Sequence, residues 1–389
     1  MKRFDVVFEP SAKLIGQLRL LAALGGFALV TALLFAPDRA WPNLLLISYY
    51  MLGLSLAGAV FIALGYVSDA RWSIALRRVP EAMAQLLPLG GIGLLAVTLL
   101  HPAVYPWASP DYAGHMPAFR HLWLSLPFFR LRTVVYLLLW TLFIWAMLRA
   151  SRRQDAEGDL EYTHRNQRLA AGFLVVFGLT YWLASFDWMM SLDPEWYSTI
   201  FGLYNFAGLF LGGLAAMTVV VVWLHGQKQF EGFFTSQHLH DLGKLLFAFS
   251  TFWAYLWFCQ FMLIWYVNIP EETGYFVERH RGLWEPLFYL NVFVNWVAPF
   301  LLLMPRANKR KPGVLLRISL ALLVGRWLDL YLMIAPTFFP DRPHIGIWEL
   351  AMAAGAAGLF GLLFLRVLRS APVIPVKDPH LADSLHYHA

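Results

Sequence analysis

Apolar runs of about 20 residues, separated by short polar segments, divide most of the chain. Runs of that length cross a bilayer as helices. They predict ten, α1 to α10, near 14–36, 43–67, 82–100, 131–149, 168–186, 199–224, 242–267, 284–304, 314–336 and 346–367. One run breaks its own pattern. In α9 the stretch "GRWLDLYLM", Gly325 to Met333, sets Arg326 and Asp329 in the middle of otherwise apolar turns. The first run exceeds the usual signal-peptide core of about 7–15 residues and no small-residue cleavage site follows, so α1 is expected to be retained. The predicted fold class is an all-α polytopic membrane protein, residues 1–370, followed by a polar tail, 371–389.

Composition agrees, with 59% hydrophobic and 14% charged residues against about 25% charged in soluble domains. With a cytoplasmic N-terminus, 21 of the 30 Lys and Arg fall in inner segments. The outer segments hold 7, namely Arg39, Arg120, Arg130, Arg132, Arg279, Arg281 and Arg342, while Arg19 and Arg326 lie within helices. This bias predicts an inner membrane protein with both termini cytoplasmic. It makes the net charge of +6 a topology signal and no sign of nucleic-acid binding.

The patterns for redox cofactors are missing. The twelve histidines all fall in loops, at helix ends or in the tail, and Cys259 is the single cysteine. Haem b needs facing histidines within helices, haem c a C-x-x-C-H, and an iron–sulfur cluster several thiolates. No phosphate-cradling glycine loop suggests an ATP-driven pump. The chain is therefore expected to bind no metal itself.

Charges at depth cost about 2.5–3.5 kcal/mol each and usually face a bundle interior or a wet cavity. Arg326 and Asp329, three apart, share one helix face. They read as a self-neutralising staple, as part of a proton path, or as the wall of a quinone pocket. A second concentration follows α5 in "SFDWMMSLDPEWYSTIFGLYNF", where Asp187, Asp193 and Glu195 have no basic residue nearby in sequence. Such a cluster can raise a carboxylate pKa. At the inner start of α7, "HLHDLGKLLF" places Asp241 and Lys244 as a solvated cap or a proton entrance. Glu349, near the outer end of α10, is a further carboxylate. Gly208 and Gly212 in α6, and Gly355, Gly358 and Gly361 in α10, predict close helix packing. Pro88 with the following glycines predicts a bent α3. The aromatic loop 101–130 is expected to cap a pocket or dock a partner. The tail, too polar to bury itself, is expected to lie along another subunit or to be disordered.

Four stretches together, "SDARWSIALRRVPEAM", "FDWMMSLDPEWYSTIFGLYNFAG", "HDLGKLLFAFSTFWAYLWFCQFMLIWYVNIPEET" and "KDPHLADSL", resemble the second large membrane subunit of alternative complex III (ActF-like). That group lies within the polysulfide-reductase-type (NrfD-like) membrane subunits. The resemblance runs from about Asp69 to the tail. It implies two four-helix bundles, α2–α5 and α6–α9, flanked by α1 and α10. It also implies a complex that oxidises quinol and passes electrons to a periplasmic cytochrome c or another acceptor. Haem c and iron–sulfur clusters would sit on partner subunits, a multihaem cytochrome and an iron–sulfur protein, beside a paralogous membrane subunit. Asp187, Asp241, Lys244, Arg326 and Asp329 fall within or near the shared motifs, and the resemblance implies proton transfer or quinone binding there. A stand-alone proton-coupled transporter and a purely structural membrane anchor remain as alternatives.

Overall fold

A computed structural model describes residues 6–109, 112 and 118–387. Lys2, Arg3, His115, His388 and part of the loop 101–130 lie outside the described residues. Among the described residues the chain is 82% helix without strands. Ten helices are long and apolar enough to span a membrane: α1 Ala12–Phe35, α2 Pro37–Val67, α3 Arg78–Leu100, α4 Leu126–Glu157, α5 Glu161–Leu192, α6 Phe201–His225, α7 Ser236–Val267, α8 Gly282–Leu303, α9 Pro312–Phe338 and α10 Ile347–Leu368. The protein is a multi-pass membrane protein.

Neighbours α2–α3–α4–α5 close one four-helix ring and α6–α7–α8–α9 a second. The rings meet through α2, α5, α6 and α9, and the pair α1–α10 packs outside them against α2. Burial follows this arrangement: 89% of the apolar window of α2 is buried, but 17% of that of α1. Both ends of the described chain lie on one face, since Val373 N donates to Val6 O at 3.1 Å. That face is the terminal face and the opposite one the far face.

Local sequence explains the departures from the predicted spans. Helix α4 starts five residues earlier than expected, at Leu126, with Pro127 supplying a helix-ready φ in its first turn. It ends at Gly158, whose φ of 76° is the left-handed conformation that stops a helix. Arg132, placed in an outer segment by the charge count, therefore lies inside α4. Helix α3 breaks after Ala84 and resumes at Leu87, just before Pro88, as its proline predicted. Helix α8 carries a π-helical turn over Phe293–Val297.

A Cβ on Gly355 would lie 2.3 Å from Gly25 Cα, so α1 and α10 cross backbone on backbone as the small residues of α10 predicted.

The tail corrects its expectation. Residues 371–387 fold back on the chain's own terminal face, with Val373, Ile374 and Leu381 buried. Asp378 pairs with Arg77 at 2.7 Å and Asp383 with Arg71 at 2.9 Å. Ser384 Oγ accepts from Ala75 N at 3.1 Å and donates to Trp72 O at 2.7 Å. Three apolar anchors and two acids matched to arginines supply what overall polarity seemed to deny.

The α1–α10 crossing yields a direct prediction. Gly355→Leu overpacks it and lowers stability by about 1–3 kcal/mol. Gly16→Leu, which points into open space, leaves the thermal midpoint unchanged.

Candidate functional site

All four helices of the second ring converge on one carboxylate. Asp329 on α9 is 1% exposed. Its Oδ2 accepts from Arg326 Nη1, one turn earlier, and from Trp253 Nε1 of α7 at 3.3 Å. Its Oδ1 accepts from Tyr204 Oη of α6 and from Asn291 Nδ2 of α8 at 3.1 Å. Four donors from four helices replace the water that a buried carboxylate loses.

Arg326 has its own cradle. A Cβ on Gly208 would lie 2.2 Å from Arg326 Nη1, and one on Gly212 3.3 Å from its Cγ. These two glycines of α6 were expected to bring helix backbones together. They instead clear the volume of a guanidinium side chain.

Polar groups continue from Asp329 in both directions. Toward the terminal face, Asn295 in the π-helical turn donates to Asn291 Oδ1 at 2.7 Å, and Ser250 Oγ donates to Asn295 O at 2.6 Å. The buried Ser319 hydroxyl on α9 has no partner. Toward the far face, Asp329 lines a cavity of about 30 Å³ together with Tyr204, Gln260, Tyr275, Arg279 and Asn291. That volume holds about two waters. The Gln260 amide nitrogen in its wall is buried without a partner, as a water-filled site requires.

Arg279 forms the outer end of the cavity. It donates to Leu332 O at 2.8 Å, Met333 O at 3.1 Å and Tyr275 O at 2.7 Å, stacked 3.4 Å from the Tyr275 ring. Burial pushes the nearby Asp193 and Glu278 carboxyls above their ordinary values, with Arg279 opposing.

Asp187 lies elsewhere, in the first ring. Arg132 of α4 grips it with two hydrogen bonds, at 2.9 and 2.8 Å, and Trp123 Nε1 and Tyr136 Oη donate at 2.9 and 3.0 Å. The three acids after α5 were expected to share a mouth without a cation. The chain splits the group: Asp187 takes Arg132, while Asp193 stays near Glu195 with the charge of Arg279 acting on it. Sequence proximity missed both because the cations come from other helices. Tyr49 and Tyr181, hydrogen-bonded at 2.9 Å, sit with Asn205 where the two rings meet.

The other predicted residues are anchors or entrances. Glu349 is held by Arg39 at 2.9 and 2.6 Å, by Asn43 at 3.2 Å and by Gly346 N at 2.8 Å, which ties the start of α10 to α2. Asp241 pairs with Lys244 at the terminal face, where its carboxylate is buried and the lysine half exposed. It precedes Trp253 by twelve residues, roughly 18 Å along α7. The predicted residues thus form four separate sites: the pair Arg326 and Asp329, the pair Asp241 and Lys244, and Asp187 and Glu349 each with partners the sequence did not predict.

One network went unpredicted. Glu81, fully buried, accepts from Arg78 and, at 2.6 Å, from Ser151 Oγ; Arg77 lies 3.6 Å away and Arg78 also pairs with Asp155. The charge count had used Arg77 and Arg78 only as topology markers. Glu81, three and four residues beyond them, was the legible signal of a buried network. Asn291 and Asn295, four apart in an apolar helix, were a comparable signal. No family model matches the chain, and no curated protein matches it.

The cradle predicts that Gly208→Ala expels the Arg326 guanidinium and lowers the thermal midpoint by the equivalent of about 1–3 kcal/mol. Gly26→Ala, which meets nothing, is the matched control.

Proposed function

We propose that this chain is an integral subunit of a quinol:acceptor oxidoreductase of the alternative complex III type, in a bacterial cytoplasmic membrane with both termini in the cytoplasm. Its role in that complex is a proton path through the second ring. Asp329 is the central relay, and haem c and iron–sulfur clusters reside on partner subunits. The observation that carries this reading is the fully matched Asp329 carboxylate on the wall of a small polar cavity beside an unpartnered amide. Intramembrane ionisable groups so placed mark proton relays.

The same cavity disfavours a quinone pocket. Room for about two waters does not take a quinone ring, so no step is assigned to quinol at Asp329. In the proton path, Asp241 and Lys244 form the terminal-face entrance. Ser319, Ser250, Asn295 and Asn291 mark the inner half. The water cavity, Tyr275 and Arg279 form the outer half, with Asp193 and Glu278 at the exit. Asp329 passes a proton by exchanging with cavity water while Arg326 holds its charge in register.

A stand-alone transporter predicts broken helices at corresponding positions of two repeats. The interruptions fall in α3, second of its ring, and α8, third of its ring, which do not correspond.

Gentle purification of the tagged chain is expected to bring down haem-bearing and iron–sulfur subunits, and a colourless, partner-free chain would contradict the complex. In that complex Asp329→Asn lowers proton movement per quinol oxidised. Because the asparagine leaves Arg326 without its counter-charge, Gln260→Leu provides a second test that leaves the ion pair whole. Unchanged turnover and proton stoichiometry in both variants would reduce Asp329 to a staple.

A further inference from the structure

A groove of about 550 Å³ opens between α1 and α10 at the terminal face. Three arginines reach it, Arg19 from the second turn of α1, Arg366 from the last turn of α10 and Arg369 just beyond. All three are exposed. Among the described residues none makes an ion pair or a hydrogen bond through its side chain. This sets them apart from Arg71, Arg77, Arg78 and Arg132, each paired with a carboxylate. Among the described residues no acid lines the groove; Glu9, beside Pro10 at its edge, pairs with none of the three.

A lone arginine at a helix end commonly reaches for the membrane surface on its own account. Three converging from two helices on one recess are a different case. The guanidiniums present fork-shaped donors suited to phosphate oxygens. Ser370 adds a hydroxyl at the rim, and the floor is apolar, with Ile15 and Leu362.

The surroundings specify what carries the phosphate. Above Arg19 the outward side of α1 exposes Leu20, Leu24, Phe27, Val30 and Leu34, at 52–70%. This stripe climbs the span from the arginines to the far end. Charged donors at headgroup level, followed by an uncovered apolar strip along the membrane, match one molecule with both features. We infer that this groove binds an anionic phospholipid, the arginines holding its phosphate and the α1 face its acyl chains. Basic recesses between helices at the cytoplasmic boundary suit such headgroups. The assignment is independent of the proton path.

The test is native mass spectrometry of the intact purified assembly, with phosphatidylglycerol or phosphatidylcholine added. The wild type is expected to retain phosphatidylglycerol preferentially. The triple variant Arg19→Gln, Arg366→Gln, Arg369→Gln is expected to lose about tenfold or more of that retention. Arg306→Gln with Arg317→Gln, exposed arginines near the same face, leaves it unchanged. Equal retention of the two lipids, or undiminished phosphatidylglycerol on the triple variant, would overturn the site. Inorganic phosphate binding as tightly as the lipid would make it a bare anion site and overturn the lipid assignment. Loss of an acidic subunit from the triple variant with lipid retention intact would give the arginines to a protein partner instead.

Discussion

An ionised carboxylate in the middle of apolar helices must have its hydration replaced, donor by donor, or it does not stay ionised. Asp329 meets that constraint with one donor from each helix of its ring. The four helices are consequently registered against one another at that level. Gly208 and Gly212 give up their side chains to admit Arg326, and Asn295 takes its place in a π-helical turn beside Gly325. Replacing such a pair with apolar residues is often neutral or stabilising. A pair with this much arranged around it is better explained by chemistry than by stability.

The first ring repeats the chemistry in a closed form. Asp187, on the last helix of its ring as Asp329 is on the last of the second, also has an arginine, a tyrosine and a tryptophan as partners. Its arginine comes from a neighbouring helix and grips both oxygens, with the Trp123 ring 4.0 Å over the guanidinium. Asp329 instead shares its wall with a cavity and an unpartnered amide. One carboxylate is clamped, and the other borders a cavity. Between the rings the tyrosine pair bonds with Asn205 and with neither carboxylate.

Hydropathy alone located all ten spans because bilayer thickness sets their length. It misjudged ends where a proline or a left-handed glycine overrides composition, as at Leu126 and Gly158. The residues Arg326 and Asp329 were legible because charge at depth is rare. The Asp329 partners Tyr204 and Trp253 were not, since tyrosine and tryptophan are ordinary in such helices and only packing selects these two. The tail shows the converse. Its polarity is real, but Asp378 and Asp383 meet Arg77 and Arg71, a match made visible only when the tail comes back to the segment between α2 and α3.

The account turns on whether Asp329 changes its protonation while the assembly works. Infrared difference spectra of the intact complex, recorded across quinol oxidation in ordinary and heavy water, address that directly. A protonated-carboxyl band that shifts in heavy water and disappears in Asp329→Asn is the predicted result. Spectra identical in the two proteins would mean that the carboxylate never takes up a proton, and the proton path through α6–α9 would be wrong.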